Sequence, residues 1–194
     1  MEALNRSLYL MFNAGDHPSF AVLCLAKVLA QQAIILLPLL LVLLWLRGAR
    51  TAAVTAVLCV LLALLGNLLI GLSFMHPRPF MVPLGHSWIS HKAETSFPSD
   101  HATIFFAFGL ALCAAGRRRL GAVVAALGVA VGWSRVYLGV HFPFDIIGGL
   151  LVAIASTWAM VTLLAWRNLG TRLVDRLEQA HRALLNMPLG RQRK

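Results

Sequence analysis

The stretch TAAVTAVLCVLLALLGNLLIGLSFM, residues 51–75, runs for 25 residues without a charged side chain. At about 1.5 Å of rise per helical residue it can cross a hydrocarbon layer about 30 Å thick, so it places the chain in a bilayer. Similar apolar runs recur on both sides of it, at 20–46 (cleanest over 28–46), 102–116, 120–133 and 146–166. With 59% hydrophobic and 12% charged residues over 194, the chain carries more apolar surface than a soluble core could hide. The expected fold is all-α, a polytopic transmembrane bundle of about five spans with amphipathic terminal helices, in a single domain over residues 1–194. Gln31 and Gln32 are expected to face other helices.

The ends of the chain read as surface helices. Leu4, Leu8, Met11 and Phe12 recur at helical spacing before Gly15 and Asp16. Near the other end Leu169, Leu173, Leu177, Ala180 and Leu184 share one face, away from Arg172, Arg176 and Arg182, as in a helix lying on a membrane. No basic start followed by an apolar block precedes residue 18, so no cleavable signal peptide is expected. Cys24, Cys59 and Cys113 lie in apolar runs without paired spacing, which suits buried small hydrophobes and neither a disulfide framework nor a metal cluster.

A formal charge of +10 would suggest nucleic acid for a soluble protein. Here the basic residues fall in loops and in the tail, where membrane lipids and topology account for them, so no nucleic-acid partner is expected. With five spans, Arg47, Arg50, Arg117, Arg118, Arg119, Arg167, Arg172, Arg176, Arg182, Arg191, Arg193 and Lys194 all share one side. Positive charge prefers the cytoplasm. The opposite, outer side then holds Arg6, Arg78, Lys92 and Arg135 together with the amino terminus.

Polar residues stranded between apolar runs mark a site, because each carries a desolvation cost. They are Arg78-Pro79, Pro98-Ser99-Asp100-His101, and Ser134-Arg135 followed by His141 and Asp145. Pro98 suits a helix start, so Ser99, Asp100 and His101 would aim backbone donors and the positive helix end at one point, an anion site or simply a capped helix. Arg78 and Arg135 could snorkel, but their guanidinium forks also match phosphate oxygens. His141 and Asp145 stand four apart at the entrance of the last span, where the carboxylate can fix the imidazole tautomer and leave its other nitrogen free as a nucleophile. Together these are the parts of a phosphoryl-transfer site. The runs 102–116 and 120–133 reach only about 22 Å as helices, so the motif residues must complete them. Ser99, His101 and Arg135 should therefore sit at helix ends near the membrane boundary, at the depth of a lipid phosphate.

These residues resemble the type 2 phosphatidic acid phosphatase family, which shares a site architecture with vanadium-dependent haloperoxidases. The family pattern is a lysine seven residues before Arg-Pro, then Pro-Ser-Gly-His, then Ser-Arg, five residues, His, three residues and Asp. The third motif is complete from Ser134 to Asp145, and the resemblance covers about residues 51–166. It implies that His141 attacks phosphorus to form a phosphohistidine, Asp145 orients it, and His101 protonates the leaving oxygen. It further implies that Arg78, Ser99 and Arg135 hold the phosphoryl oxygens, with no cofactor and no metal.

The pattern is broken twice. Gly71 stands where the family has its lysine, and Asp100 replaces the glycine of the second motif. Lys92 is the outer lysine that could supply the missing charge, unless it is only a solvated loop residue. Asp100 should contribute its backbone N–H and turn its carboxylate away from the phosphate. Both departures, with His-Lys-Ala-Glu-Thr-Ser-Phe at 91–97, look like the bacitracin-resistance branch of bacterial undecaprenyl-diphosphatases. That likeness implies a polyprenyl diphosphate substrate, hydrolysed outside the cytoplasmic membrane to recycle the cell-wall carrier lipid. A broader lipid phosphatase acting on phosphatidylglycerophosphate or phosphatidate, a lipid phosphotransferase, and a non-catalytic lipid-phosphate binding or transport protein stay open, as does the oligomeric state. Glu94 reads as a surface carboxylate or as a group ordering Lys92 or the arginines. Of the remaining histidines, His17, His86, His91 and His181 read as loop or interface residues, and His76 alone lies near enough to Arg78 for a site role.

Overall fold

A computed structural model describes residues 1–166 and 169–185. The charged ends 167–168 and 186–194, with Arg167, Arg191, Arg193 and Lys194, lie outside the described residues, as do the side chains of His181, Arg182 and Leu184. The elements run α1 (Glu2–Phe12), α2 (Phe20–Lys27), α3 (Leu36–Leu46), α4 (Arg50–Ser73), α5 (Asp100–Ala114), α6 (Arg118–Tyr137), α7 (Pro143–Ala165) and α8 (Leu169–Leu185). A π-helical turn at Val28–Gln32 and a 3₁₀ turn at Ala33–Ile35 join α2 to α3 without a break. Every regular element among the described residues is helical.

Among the described residues four helices are long and apolar enough to cross a membrane: Phe20–Leu46, Arg50–Ser73, Arg118–Tyr137 and Pro143–Ala165. The fourth expected run gains its missing length from Ser134 to Tyr137, and the last, already long enough, starts earlier at Pro143. The third does not lengthen: α5 has 15 residues, about 22 Å of helix. Its place in the bundle gives the reason. α5 packs against α4, α6 and α7, and buries Ala102, Thr103, Phe105, Phe106, Ala107, Phe108, Gly109, Ala111 and Leu112 all around its axis. A helix apolar on every side is a core helix.

The α4 helix turns small residues inward, against the large core side chains of α5, and large ones outward. On α4, Ala52, Ala56, Cys59, Ala63 and Asn67 recur at helical spacing on the buried face, while Leu61, Leu65, Leu68 and Leu72 are exposed. In lipid this order is favourable, because close backbone approach supplies the packing and the leucines meet acyl chains.

One expectation is corrected. Gln31 and Gln32 are exposed; the Gln32 amide, with its nitrogen toward the backbone, donates to the carbonyls of Lys27 and Val28 at 3.0 and 3.3 Å. The π-helical turn provides acceptors locally, so no neighbouring helix is required. α1 forms at the expected place, with its apolar stripe on the surface and a polar pair packed inward. Leu4, Met11 and Phe12 are exposed, while Asn5 and Tyr9 are buried. Asn5 Oδ1 accepts from the Phe144 N–H at 3.0 Å, and the Tyr9 hydroxyl donates to the Leu84 carbonyl at 3.1 Å. α8 forms as expected and rests on α4 and α7, with Val174 buried.

The chain order places the carboxyl ends of α4 and α6 and the amino ends of α5 and α7 at one end of the bundle. The turns and helix starts carrying Arg47, Arg50 and Arg117–Arg119 lie at the other. At the first end the long 74–99 connection is clamped down: Asn13 Nδ2 donates to the carbonyls of His86 and Tyr137 at 2.9 and 3.1 Å, and Trp88 Nε1 donates to the Ala14 carbonyl at 3.2 Å.

Candidate active site

The α6–α7 connection sets the first element of the site. After Tyr137 the chain turns at Gly139, whose φ of 83° lies in the left-handed region that glycine occupies without strain. His141 follows, and Pro143 opens α7. Asp145, in the first turn, accepts from the Phe142 N–H at 2.7 Å and so caps its own helix. The same Oδ2 atom lies 3.3 Å from His141 Nδ1. Both side chains are buried, His141 at 2% and Asp145 at 0% exposure.

The other face of the imidazole meets arginine. Arg78 Nη1 lies 3.1 Å from His141 Nε2 and also donates to the Val140 carbonyl at 3.0 Å, while Nη2 donates to the Thr95 carbonyl at 3.1 Å. A guanidinium has no lone pair to accept with, so His141 Nε2 is the acceptor of this contact and the proton sits on Nδ1, facing Asp145. That is the tautomer a nucleophilic Nε2 requires. Burial works against the charge of Arg78, and Glu94, Asp145 and Asp100 work for it. Burial likewise pushes His141 down to about 4, with its bond to Asp145 pulling the other way.

Ser99 caps α5 and is fully buried. Its N–H donates to the Asp145 carbonyl at 3.1 Å, which ties the start of α5 to the start of α7. His101 follows in the first turn, within electrostatic reach of Arg135, His141, His91 and Arg78. Arg135 lies in the last turn of α6, 3% exposed, and donates from Nη1 to the Ala30 carbonyl in the π-helical turn at 3.4 Å. These residues sit at helix ends on one end of the bundle, as their spacing predicts. Arg78 Nε, Arg135 Nε and Nη2, and Ser99 Oγ are buried without a hydrogen-bond partner.

Asp100 turns its carboxylate to α4, where Asn67 Nδ2 donates to it at 2.8 Å and to Thr103 Oγ1 at 3.0 Å. The absent lysine also has a steric reason: a Cβ at Gly71 would stand 2.9 Å from Thr95 Cγ2, so no side chain fits there unless Thr95 moves. Lys92 is exposed on the 74–99 connection, and its ammonium forms no hydrogen bond or ion pair with the other site residues. The Glu94 N–H donates to the Lys92 carbonyl at 3.0 Å, while its carboxylate faces the site, with Oε1 3.6 Å from Arg78 Nη2 and 3.9 Å from His91 Nδ1.

Three residues beyond the motifs belong to this cluster. Ser96 Oγ donates to Asp145 Oδ2 and lies 3.3 Å from His141 Nδ1. The His91 ring, read above as a loop residue, is 6.4 Å from that of His141, and its pKa is lowered by burial and then by Arg78. His76 Nδ1 lies 3.7 Å from Asp145 Oδ1. The available signal for Ser96 and His91 was their place in the 91–97 segment; no spacing rule marks them. Among the described residues no group of three or more His, Cys, Asp or Glu side chains is arranged to hold a metal ion.

Comparison with known proteins bears on the family and the fold. The chain is 37% identical over 192 residues to YbjG of Escherichia coli strain K12, which carries a provisional undecaprenyl-diphosphatase name, covering 97% of this chain and 96% of that one. It is 30% identical over 154 residues to the undecaprenyl-diphosphatase BcrC of Bacillus subtilis, covering 78% and 79%. In fold it resembles LpxE of Aquifex aeolicus, with a TM-score of 0.71 at 22% identity over 82% of this chain and 95% of that one. A transmembrane phosphatidylglycerolphosphate phosphatase of Bacillus subtilis follows at a TM-score of 0.60 and 19% identity, covering 84% and 85%. The PAP2 superfamily matches residues 52–169, the part that holds every motif above, and the chain belongs to that family as a membrane-embedded lipid phosphatase.

Proposed function

We propose that this phosphatase removes the terminal phosphate of undecaprenyl diphosphate on the outer side of the bacterial cytoplasmic membrane. The observation that carries the reading is the set of buried, unpartnered donors around His141, on Arg78, Arg135 and Ser99. A buried donor left unpaired costs about 1–3 kcal/mol, and phosphoryl oxygens would satisfy several at once. The undecaprenyl-diphosphatase names of the two relatives support the choice of lipid. The arginine loops at the opposite end of the bundle support an outward site by the charge rule for cytoplasmic loops.

In this mechanism His141 Nε2 attacks the terminal phosphorus. The bond from phosphorus to the bridging oxygen breaks, that oxygen takes the electron pair, and His101 gives it a proton. Arg78, Arg135, Ser99 and the backbone N–H of Asp100 hold the oxygens of the transferring group, and Asp145 stabilises the charge that grows on the imidazole. Water then attacks the phosphohistidine and gives its proton to His101, the P–N bond breaks with its electron pair returning to His141 Nε2, and phosphate leaves.

The test offers purified protein undecaprenyl diphosphate, phosphatidylglycerophosphate and phosphatidate side by side and measures phosphate release. The expected result is preference for the diphosphate, with turnover abolished in a folded His141→Ala variant. Equal rates on all three lipids would withdraw the substrate assignment, and an active His141→Ala would withdraw the nucleophile.

A further inference from the structure

Asp145 uses its two oxygens unequally. Oδ2 is crowded by Ser96 Oγ, the Phe142 N–H and His141 Nδ1, whereas Oδ1 is buried without a hydrogen-bond partner. Facing it at 3.7 Å is His76 Nδ1, also buried and also without one. A buried acceptor and a buried donor group that lack partners and point at each other need to close by only about 1 Å to reach hydrogen-bond distance.

The His76 ring is held in that orientation from several directions. It stacks on Phe74 at 6.0 Å between centroids and meets Phe142 edge-on at 5.4 Å. The backbone N–H of His76 donates to Thr95 Oγ1 at 3.2 Å, and its backbone carbonyl accepts from the Ser96 N–H at 2.7 Å. The segment that aims His76 at Oδ1 therefore also aims Ser96 at Oδ2. Nε2 points outward, 3.7 Å from Glu2 Oε2 on α1.

We infer that His76 is a positioning residue for the reaction: its Nδ1–H donates to Asp145 Oδ1, so that Asp145 bridges two imidazoles and keeps Oδ2 aligned on His141. No proton is transferred along this chain. The hydrogen bond adds an anchor on Oδ1 to the carboxylate rotation that the three Oδ2 contacts already restrain, and it gives the unpartnered oxygen of a buried anion a donor. This inference rests on the proposed pairing of a nucleophilic His141 with Asp145.

Two substitutions separate the donor from the ring. His76→Phe keeps the packing on Phe74 and Phe142 but removes the N–H; His76→Asn loses the ring and keeps an amide nitrogen near the position of Nδ1. With undecaprenyl diphosphate at fixed pH, His76→Phe is expected to lower kcat on the order of 10- to 100-fold, the worth of one hydrogen bond to a charged group, with KM within about twofold. His76→Asn should recover most of that loss. In an Asp145→Asn background His76→Phe should cost nothing further, because both changes disable the same unit. Wild-type kcat in His76→Phe, or an equal fold-loss in both backgrounds, would overturn the inference even if His76→Asn failed to fold. Wild-type activity of Asp145→Asn alone would instead withdraw the His141–Asp145 reading beneath it, and this inference with it.

Discussion

Arg78 Nη1 and His141 Nε2 stand 3.1 Å apart, so the atom placed to attack phosphorus is already in contact with a group placed to hold the phosphoryl oxygens. The relationship fixes the histidine tautomer and keeps the lone pair directed into the site. It also means that an arriving phosphate must draw the guanidinium from nitrogen to oxygen before attack.

Arg78→Lys should therefore fail despite conserving charge. The fork reaches the carbonyls of Val140 and Thr95 and the His141 ring together, and a single ammonium cannot hold those directions at once. The expected loss in kcat/KM is about 10²-fold or more, comparable to removing an oxyanion donor. Steady-state kinetics within threefold of wild type would count against the role.

His101 is expected to act on the leaving group. His101→Ala should slow hydrolysis by roughly 10²- to 10⁴-fold on the natural lipid. An aryl phosphate, whose leaving oxygen needs no proton, should recover part of that rate. If both substrates lose equally, His101 serves binding or folding.

The buried imidazole of His141 gives a pH prediction with a definite sign. Burial lowers its pKa from 6.5 to about 4, so the nucleophile stays unprotonated well below pH 6, and the acid limb it imposes on kcat/KM should fall near 4. The unfolded chain takes up this proton near 6.5. The stability contributed by the neutral ring is thus complete above 6.5, declines as pH falls from 6.5 toward 4, and changes no further below that. Melting temperatures of wild type and His141→Ala across this window check it: the wild type should lose more on acidification.

Lys92 tests how the chain manages without the lysine at Gly71. A diphosphate carries more charge than a monophosphate, and Arg78 with Arg135 supply two fixed cations, so a third should matter more for the diphosphate. Lys92 is exposed two residues before Glu94, which approaches Arg78 at 3.6 Å. Lys92→Ala should weaken turnover of undecaprenyl diphosphate more than that of a lipid monophosphate, with Lys92→Arg partly preserved. Unchanged rates on both substrates would leave Lys92 a solvated loop residue.

The sequence by itself determined the features that depend on local chemistry. Uncharged runs reported the spans, because a bilayer rejects charge wherever a residue sits in the chain. The four-residue spacing of His141 and Asp145 reported their contact, because a helix entrance brings such neighbours together. Pro98 and Pro143 reported the helix starts that carry Ser99 and Asp145.

Tertiary structure decided what depends on packing between distant segments. Ser96 reaches Asp145 across 49 positions and Arg135 reaches the Ala30 carbonyl across 105, and no period or spacing encodes such pairs. The short length of α5 misled a reading based on span length, since a helix enclosed by α4, α6 and α7 is not measured against lipid at all. The exposed apolar stripe of α1 inverted the rule for water-soluble helices for a related reason. In a membrane protein the interior selects for close fit and satisfied polar groups, and apolar side chains are as stable outside as in, so hydrophobicity alone does not say which face packs.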